Sequence, residues 1–306
     1  MAEKVLLVTL DGSTFAEAAL PYAEAIAKAT GRKLRLLTVV ESAIEHIPSL
    51  ADALSGRLET VGSGAAARYL NGLSAELRKR GLEVDTEIGL GDAATAILER
   101  APREGSGLIL MATHGRGGIS RWRLGSVADK VMRLAPCPTL LVRPPEAGKA
   151  AGSVQFRHLL VPLDGSQLAE RALEPATDIA LATGAKLTLV RVVPFLRATM
   201  DWGGEYVPEL GKIETEMVDD AKRDLEAVHS RLPAAIDAET VVVRGTPALA
   251  LESYITEHPI DLSVMTTHGR AGFSRFVMGS TAERLVQIGA PLLLVHDPAA
   301  QSDEPA

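Results

Sequence analysis

The sequence has few cysteines and aromatic residues and no excess of basic residues, and each of these shortages argues against a class of protein. It has one cysteine, Cys137, which excludes a disulfide framework and fits a reducing compartment. Aromatic residues are only 4% of the 306 residues, so we predict a core of Val, Leu, Ile and Ala, as in buried parallel sheets. Basic residues are outnumbered by acidic ones, 32 to 39, which argues against a nonspecific nucleic-acid-binding protein.

Long hydrophobic runs are also missing. No apolar stretch approaches the roughly 20 residues of a membrane-spanning helix. The first residues lack the basic region and apolar stretch of a signal peptide. We therefore expect a cytoplasmic protein with no membrane or nucleic-acid partner. The chain is long enough for two domains with sizeable cores.

The chain contains two copies of one pattern. Residues 111–127 read MATHGRGGISRWRLGSV, and residues 265–281 read MTTHGRAGFSRFVMGST. Earlier in each copy, VLLVTLDGS at residues 5–13 corresponds to HLLVPLDGS at residues 158–166. The period is too long for a solenoid and indicates a duplicated domain.

The duplication sets the expected domain limits. We predict domains at residues 1–145 and 157–298, a linker at 146–156 and a disordered tail at 299–306.

Apolar strands alternate with helices within each copy. The run Val5–Leu10 has no polar alternation, as expected for a strand buried on both faces. A helix follows, with Thr14 and Glu17 placed as a capping box. Residues 42–64 are predicted to be irregular, followed by a helix at about 65–80. The whole pattern, βαβαβαβαβ, predicts a parallel sheet with helices on both faces.

A glycine-rich loop after the fourth strand is the strongest functional signal. Small residues let backbone N–H groups approach an anion, and a helix N-terminus adds a positive dipole end. Arg116 and Arg270 stand beside the first glycine, where a guanidinium pairs well with phosphate. The alternative is a turn in which the serine only caps the helix. The residues concerned are Gly115, Gly125 and Ser126 in the first copy and Gly269, Gly279 and Ser280 in the second.

Other polar residues allow two interpretations each. Asp11 and Asp164 follow the first strand, where a carboxylate accepts hydrogen bonds from a base amino group or a ribose hydroxyl, or else forms an Asx turn. His114 and His268 precede the key glycines without ligand spacing around them, so we expect backbone contacts rather than a metal. Cys137 lies between two prolines and is interpreted as structural.

Two further features are interpreted as loops. GLGDAA at residues 89–94 matches a dinucleotide-binding pattern, but it follows the third strand and loses its first glycine in the second copy. We interpret it as a strand-to-helix turn. The segments 42–64 and 194–211 differ between the copies and are typical of lids or interaction surfaces.

These motifs resemble those of the universal stress proteins, over nearly the whole chain. The resemblance rests on D-G-S after the first strand and on the M-x-T-H-G-R…G-S loop with its helix. The nucleotide-binding pattern of the family, G-x2-G-x9-G-(S/T), keeps its spacing in both copies. Ala112 and Thr266 replace its first glycine.

The resemblance implies a structure and a ligand. It implies two tandem doubly wound α/β domains, each with a five-stranded parallel sheet of order 3-2-1-4-5. It implies ATP, with Mg2+ as counter-ion, between the loops after strands one and four. The fifth strands, at Leu140–Arg143 and Leu293–His296, are expected to pair within the chain, and a homodimer is a further expectation.

The resemblance also assigns the nucleotide site. Carried onto this sequence, the site comprises Leu10, Asp11, Val39, Met111, Ala112, His114, Gly115, Arg116, Gly125, Ser126 and Val127 in the first copy, and Leu163, Asp164, Val192, Met265, Thr266, His268, Gly269, Arg270, Gly279, Ser280 and Thr281 in the second.

The leading hypothesis is a nucleotide-dependent sensor or regulator in the stress response, acting on an unidentified protein partner. A phosphate cradle without an evident general base favours a binding protein over an enzyme. Two alternatives stay open. One is a slow ATPase or a nucleotidyl or phosphoryl transferase that uses the same crevice, with Asp11 or His114 positioning the nucleophile. The other is a nucleotide-independent interaction module.

Overall fold

The computed structural model describes residues 4–41, 48–102, 107–113, 124–144, 152–195, 208–267 and 279–296. By its contacts the chain divides into two units. One comprises Met1–Gln155 with His296–Ala306, and the other comprises Phe156–Val295. The predicted domain limits, linker and tail stay predictions.

The first unit is a parallel sheet with helices between its strands. Its strands follow the order β3-β2-β1-β4-β5, and every pair is parallel. A 3-10 turn at Ala16–Ala19 precedes the first helix. The elements are β1 (Val5–Leu10), α1 (Leu20–Thr30), β2 (Lys33–Val40), α2 (Pro48–Lys79), β3 (Val84–Leu90), α3 (Ala93–Arg100), β4 (Gly107–Ala112), α4 (Ser126–Leu134) and β5 (Thr139–Val142).

The second unit repeats this topology. Its order is β8-β7-β6-β9-β10, again with parallel pairs, so the doubly wound α/β fold is confirmed in each unit. The elements are β6 (His158–Pro162), α5 (Gln167–Glu170), α6 (Leu173–Thr183), β7 (Lys186–Val193), α7 (Pro208–His229), β8 (Ala238–Arg244), α8 (Pro247–Glu257), β9 (Leu262–Thr266), α9 (Ser280–Ile288) and β10 (Leu292–Val295).

The central strands are buried because helices cover both faces of each sheet. All six residues of β1 are buried, as the unbroken apolar run predicts. Leu6 and Leu110 in the first unit and Leu160 in the second are fully excluded from solvent. Burying such a side chain stabilises the fold by about 1.5–3 kcal/mol. Among the described residues, no helix has the length and apolar character to cross a membrane.

The prediction of an irregular segment at 42–64 is wrong from residue 48 onwards. Helix α2 runs over Pro48–Lys79 and includes most of that segment, with Gly56, Gly62 and Gly64 inside the helix. Gly62 has a packing reason to be there, since a Cβ at this position would lie 2.7 Å from Val40 Cγ1. The glycine lets the helix cross the end of β2 closely, which outweighs its low helix propensity.

The predicted capping box at Thr14 and Glu17 is also wrong. The Ser13 hydroxyl accepts the hydrogen bond from the Ala16 N–H at 3.2 Å. Glu17 instead receives a hydrogen bond from the Tyr69 hydroxyl, at 2.9 Å, on α2. The capping hydroxyl belongs to Ser13, one residue before the predicted Thr14, because a 3-10 turn at Ala16–Ala19 precedes α1.

Candidate functional site

The predicted site residues that the structure describes lie at the carboxyl edge of each sheet, where the strand order reverses. In the first unit, Leu10 pairs with Thr38, so Asp11 lies beside Val39. In the second unit, Pro162 pairs with Val190, which brings Asp164 beside Val192 in the same way. Parallel sheets of this kind bind ligands in the crevice at such a reversal.

Beside each of the two aspartates, a backbone carbonyl of the neighbouring strand offers a second hydrogen-bond acceptor. The Val190 carbonyl accepts from the Leu163 N–H at 2.8 Å, and the Val193 carbonyl accepts from the Gly245 N–H at 2.9 Å. Because carbonyls alternate sides along a strand, the Val192 carbonyl faces β6 and the loop that holds Asp164.

The first unit follows the same rule. The Val40 carbonyl accepts from the Gly91 N–H at 3.1 Å. The Val39 carbonyl therefore faces β1, and the carboxylate of Asp11 follows that strand. Each unit thus has a carbonyl and a carboxylate oxygen beside the same gap.

The Asp-Gly-Ser turn has the same geometry in both units. Asp11 Oδ1 accepts from the Ser13 N–H at 2.9 Å and from the Ser13 hydroxyl at 2.6 Å. Asp164 makes the same two bonds to Ser166, at 2.9 and 2.6 Å. The intervening glycine has a φ of 81° in each unit, which favours glycine. The Asx-turn interpretation is confirmed, and contact with a ligand stays a prediction.

The glycine before α4 joins that helix to the end of β4. The Gly125 N–H donates to the Thr113 carbonyl at 2.9 Å, and the Thr113 N–H donates to the Val142 carbonyl at 2.9 Å. In the second unit, the Gly279 N–H donates to the Thr267 carbonyl at 3.0 Å, and the Thr267 N–H donates to the Val295 carbonyl of β10 at 3.1 Å. The helix start is therefore anchored at the carboxyl edge.

The interpretation of the serines as N-caps is wrong. Gly125 and Gly279 are the N-cap residues, and Ser126 and Ser280 are the first helical residues. Among the described residues, no side chain caps either helix. The N–H groups of a first helical turn have no intrahelical partner, so these ends, with both serines exposed, are available to an anion.

The residues that replace the first glycine of the family pattern are both buried. Ala112 ends β4 and Thr266 ends β9, with 8% and 5% of their surface exposed. Their side chains therefore lie inside each unit and do not cover the exposed helix start.

The remaining predicted residues divide into described and undescribed ones. Leu10 ends β1 and Leu163 follows β6, Met111 and Met265 lie in β4 and β9, and Val127 and Thr281 are the second residues of α4 and α9. Six predicted residues lie outside the described residues, namely His114, Gly115, Arg116, His268, Gly269 and Arg270.

Sequence reasoning missed the anchoring threonines, Thr113 and Thr267. Both are buried and both precede the histidine of the repeated T-H-G sequence. Their presence at equivalent places in the two copies was a signal that could have found them. It also missed Thr38, whose buried Oγ1 has no hydrogen-bond partner among the described residues.

Two other sequence interpretations are confirmed. Asp92 caps α3 by accepting from the Thr95 N–H at 2.9 Å, as expected of a strand-to-helix turn. Hydrogen bonds from the Thr95 hydroxyl and from Lys130 hold the pKa of Asp92 well below its usual range. Burial raises the pKa of the Cys137 thiol to about 12, which suits a structural residue and not a nucleophile.

The family assignment follows from comparison with known proteins. The model of the universal stress protein family matches residues 3–143 and again residues 155–296. The chain belongs to the universal stress protein family. It is a tandem member, and we refer to the two matched regions as its universal stress domains.

Single-domain relatives match about half of this tandem chain. A universal stress protein of Thermus aquaticus is 36% identical over 143 residues, which are 46% of this chain and 98% of that protein. One from Methanocaldococcus jannaschii is 31% identical over 151 residues, covering 48% of this chain and 86% of that protein. A solved universal stress protein from Archaeoglobus fulgidus matches the fold with a TM-score of 0.67 at 20% identity, over 96% of this chain and 97% of that one.

The second universal stress domain has a polar network at the opposite, amino edge of its sheet. His158 Nε2 lies 2.7 Å from Thr188 Oγ1, and the Thr188 hydroxyl donates to Glu239 at 2.8 Å. Lys186 pairs with Glu239 at 2.7 Å. Since Thr188 donates its proton to Glu239, His158 Nε2 is the donor to Thr188. Burial lowers the pKa of His158 below 6.5, with the Lys186 charge adding to that effect.

This network predicts a loss of stability in mild acid. The unfolded chain binds a proton at His158 more readily than the folded chain does, so stability falls as the pH drops below 6.5. We expect the urea midpoint to be lower at pH 5.5 than at pH 7.5. In His158→Gln, whose amide also donates to Thr188, the difference between the two pH values shrinks. An unchanged difference in this variant would assign the effect to other groups.

Proposed function

We propose that each universal stress domain binds an adenine nucleotide, with ATP and Mg2+ as the expected ligand, at the carboxyl edge of its sheet. One observation carries the proposal: in both domains an exposed helix start, to which no described side chain forms a cap, is anchored at the strand-order reversal. Such a helix start offers N–H donors and a positive dipole end to phosphate oxygens.

The acceptors across the gap suit the other half of the ligand. Asp11 with the Val39 carbonyl, and Asp164 with the Val192 carbonyl, offer oxygens to a base amino group and to ribose hydroxyls. The donors for the phosphates thus lie on one side of the gap, and the acceptors for the nucleoside lie on the other side. ATP fits this order of groups.

Mg2+ is placed on the nucleotide phosphates and not in a protein cage. Among the described residues, no group of three His, Cys, Asp or Glu side chains is arranged to hold a metal ion. Mg2+ keeps several waters and is often held by substrate phosphates with few protein ligands, so this arrangement is an ordinary one.

The proposed role is that of a sensor or regulator in the stress response. Asp11 and Asp164 each commit one oxygen to their own turn. Binding that favours one conformation over another shifts its population for a protein partner. The partner, the pairing of fifth strands, a homodimer and a cytoplasmic location stay predictions.

The test is the fate of bound nucleotide. The purified, nucleotide-stripped protein is incubated with radiolabelled Mg-ATP, and bound ATP and released ADP are quantified over time. We expect stoichiometric retention of intact ATP without repeated turnover. Steady multiple turnover that Asp11→Asn abolishes while sparing binding would favour the enzymatic alternative instead.

A further inference from the structure

The two domains differ beside the proposed site, at the ends of their second and third strands. Matching β2 with β7 places Thr38 of the first domain at the position of Arg191 in the second. Matching β3 with β8 places Leu90 at the position of Arg244, because Val40 pairs with Leu90 as Val193 pairs with Arg244. A hydroxyl and an isobutyl group are thus replaced by two guanidinium groups.

The two arginines lie on one face of the sheet. Arg191 pairs with Val242, and Val193 pairs with Arg244. Residues two apart on a strand share a face, and so do paired residues on neighbouring parallel strands. From the strand spacing and the rise per residue, their Cα atoms are about 8 Å apart. Two long side chains at this separation can reach one anion together.

Arg191 lies directly against the turn that carries the nucleotide-facing carboxylate. A Cβ built on Gly165 would lie 2.5 Å from Arg191 Nη1, so the guanidinium packs on this glycine, next to Asp164. Arg191 also pairs with Asp224 of α7 at 2.5 Å, which fixes its position. A guanidinium has five N–H donors, so one carboxylate does not saturate it.

Arg244 adds a second positive charge at this edge of the sheet. Arg244 is exposed, and it forms no ion pair with any residue in the described part of the chain. The next turn has Asp92 in the first domain and Thr246 in the second, so the second domain lacks that carboxylate. The second domain thus has two arginines here, beside the carboxylates of Asp164 and Asp224, where the first domain has Thr38 and Leu90.

We propose that the second universal stress domain selects adenine nucleotides that carry a further phosphate on the ribose, held by Arg191 and Arg244. The inference rests on the proposed function, which places the nucleoside beside Asp164 and Val192 and the 5′-phosphates at the start of α9. The arginines lie on the nucleoside side of β6, away from that helix start. Paired guanidinium groups suit phosphate because each offers two parallel donors.

The first domain lacks this selectivity. Its Thr38 carries no charge, and Leu90 exposes 52% of an apolar surface at the corresponding edge. Asp92 there is paired with Lys130 at 2.9 Å, so this edge has no unpaired arginine pair to hold a phosphate among the described residues. The two sites of one chain would thus respond to different nucleotides.

The test is calorimetric titration of the full chain with AMP, adenosine 2′,5′-bisphosphate and adenosine 3′,5′-bisphosphate. We expect one equivalent of a bisphosphate to bind about tenfold more tightly than AMP, with a steeper dependence on salt. The 2′ and 3′ isomers show which ribose position the arginines serve. In Arg191→Thr with Arg244→Leu, which installs the residues of the first domain, the ratio of the two affinities falls to about one.

Two further variants show whether the loss comes from misfolding and whether two arginines are enough to create the preference for the bisphosphate. Arg244→Leu alone keeps the pair between Arg191 and Asp224 and should still reduce the ratio. Thr38→Arg with Leu90→Arg should give a second site that prefers the bisphosphate. The inference is overturned if the natural protein binds the bisphosphate and AMP equally tightly, or if both arginine variants keep the preference for the bisphosphate. Either result leaves the proposed function standing. Failure to bind any adenine nucleotide overturns both.

Discussion

Gly107→Ala is expected to destabilise the first universal stress domain by about 3 kcal/mol, a large effect for one methyl group. Gly107 begins β4, beside Val5 of β1. A Cβ there would lie 2.0 Å from the Val5 carbonyl oxygen and 3.0 Å from Pro102. Backbone cannot move aside as a side chain does, so the central strand pair has to open. Urea unfolding measures the loss.

Gly72→Ala is the matched control. Gly72 lies in α2, and apart from the adjacent residues and backbone of its own helix no described atom lies within 4 Å of a Cβ built there. The same added methyl group should stabilise the protein by about 0.5–1 kcal/mol, because alanine is a better helix former. Equal effects of the two substitutions would contradict the strand packing described for Gly107.

Ser126→Pro combined with Ser280→Pro is expected to weaken Mg-ATP binding ten- to a hundredfold without unfolding the protein. Proline suits the first position of a helix, where the N–H has no intrahelical partner. The preceding glycines already have the extended conformation that proline demands, with ψ of 148° at Gly125 and 143° at Gly279. The substitution removes an N–H donor to phosphate, worth about 1.5–3 kcal/mol. Isothermal titration calorimetry measures the change.

The variant Ser126→Ala with Ser280→Ala distinguishes the contribution of the serine hydroxyls from that of the backbone N–H groups. Alanine keeps the backbone N–H and removes the hydroxyl. If the helix start holds the phosphates through its backbone, the alanine variant binds more tightly than the proline variant. Thermal unfolding of both variants checks that the helices persist. Unchanged ATP affinity in a folded proline variant would contradict the proposed phosphate position.

The sequence predicted the fold well where a feature was either periodic or repeated. The unbroken apolar run of β1 agrees with the structure, and the strand-helix alternation found in both copies recurs as two parallel sheets. The Asx turn at Asp11 followed from residue type alone, since aspartate, glycine and serine satisfy one another locally.

Prediction failed where a local rule met a tertiary contact. The segment 42–64 was predicted to be irregular, but from residue 48 it belongs to α2, where Gly62 allows the close approach of that helix to Val40. A cap at Ser126 failed because the Gly125 N–H is held by the Thr113 carbonyl, and the helix starts at Ser126, one residue earlier than a serine cap requires. The contact of Arg191 with Gly165 joins residues far apart in sequence, and single-residue patterns do not encode it.

The measurement that tests the central claim most directly is the stoichiometry of Mg-ATP binding to the nucleotide-stripped chain by calorimetric titration. Both domains anchor an exposed helix start at the carboxyl edge, through Thr113 and Thr267, and both place a carboxylate beside a strand-two carbonyl. We predict two equivalents of nucleotide per chain. One equivalent would contradict the equivalence of the two helix starts, and no binding would contradict the nucleotide site altogether.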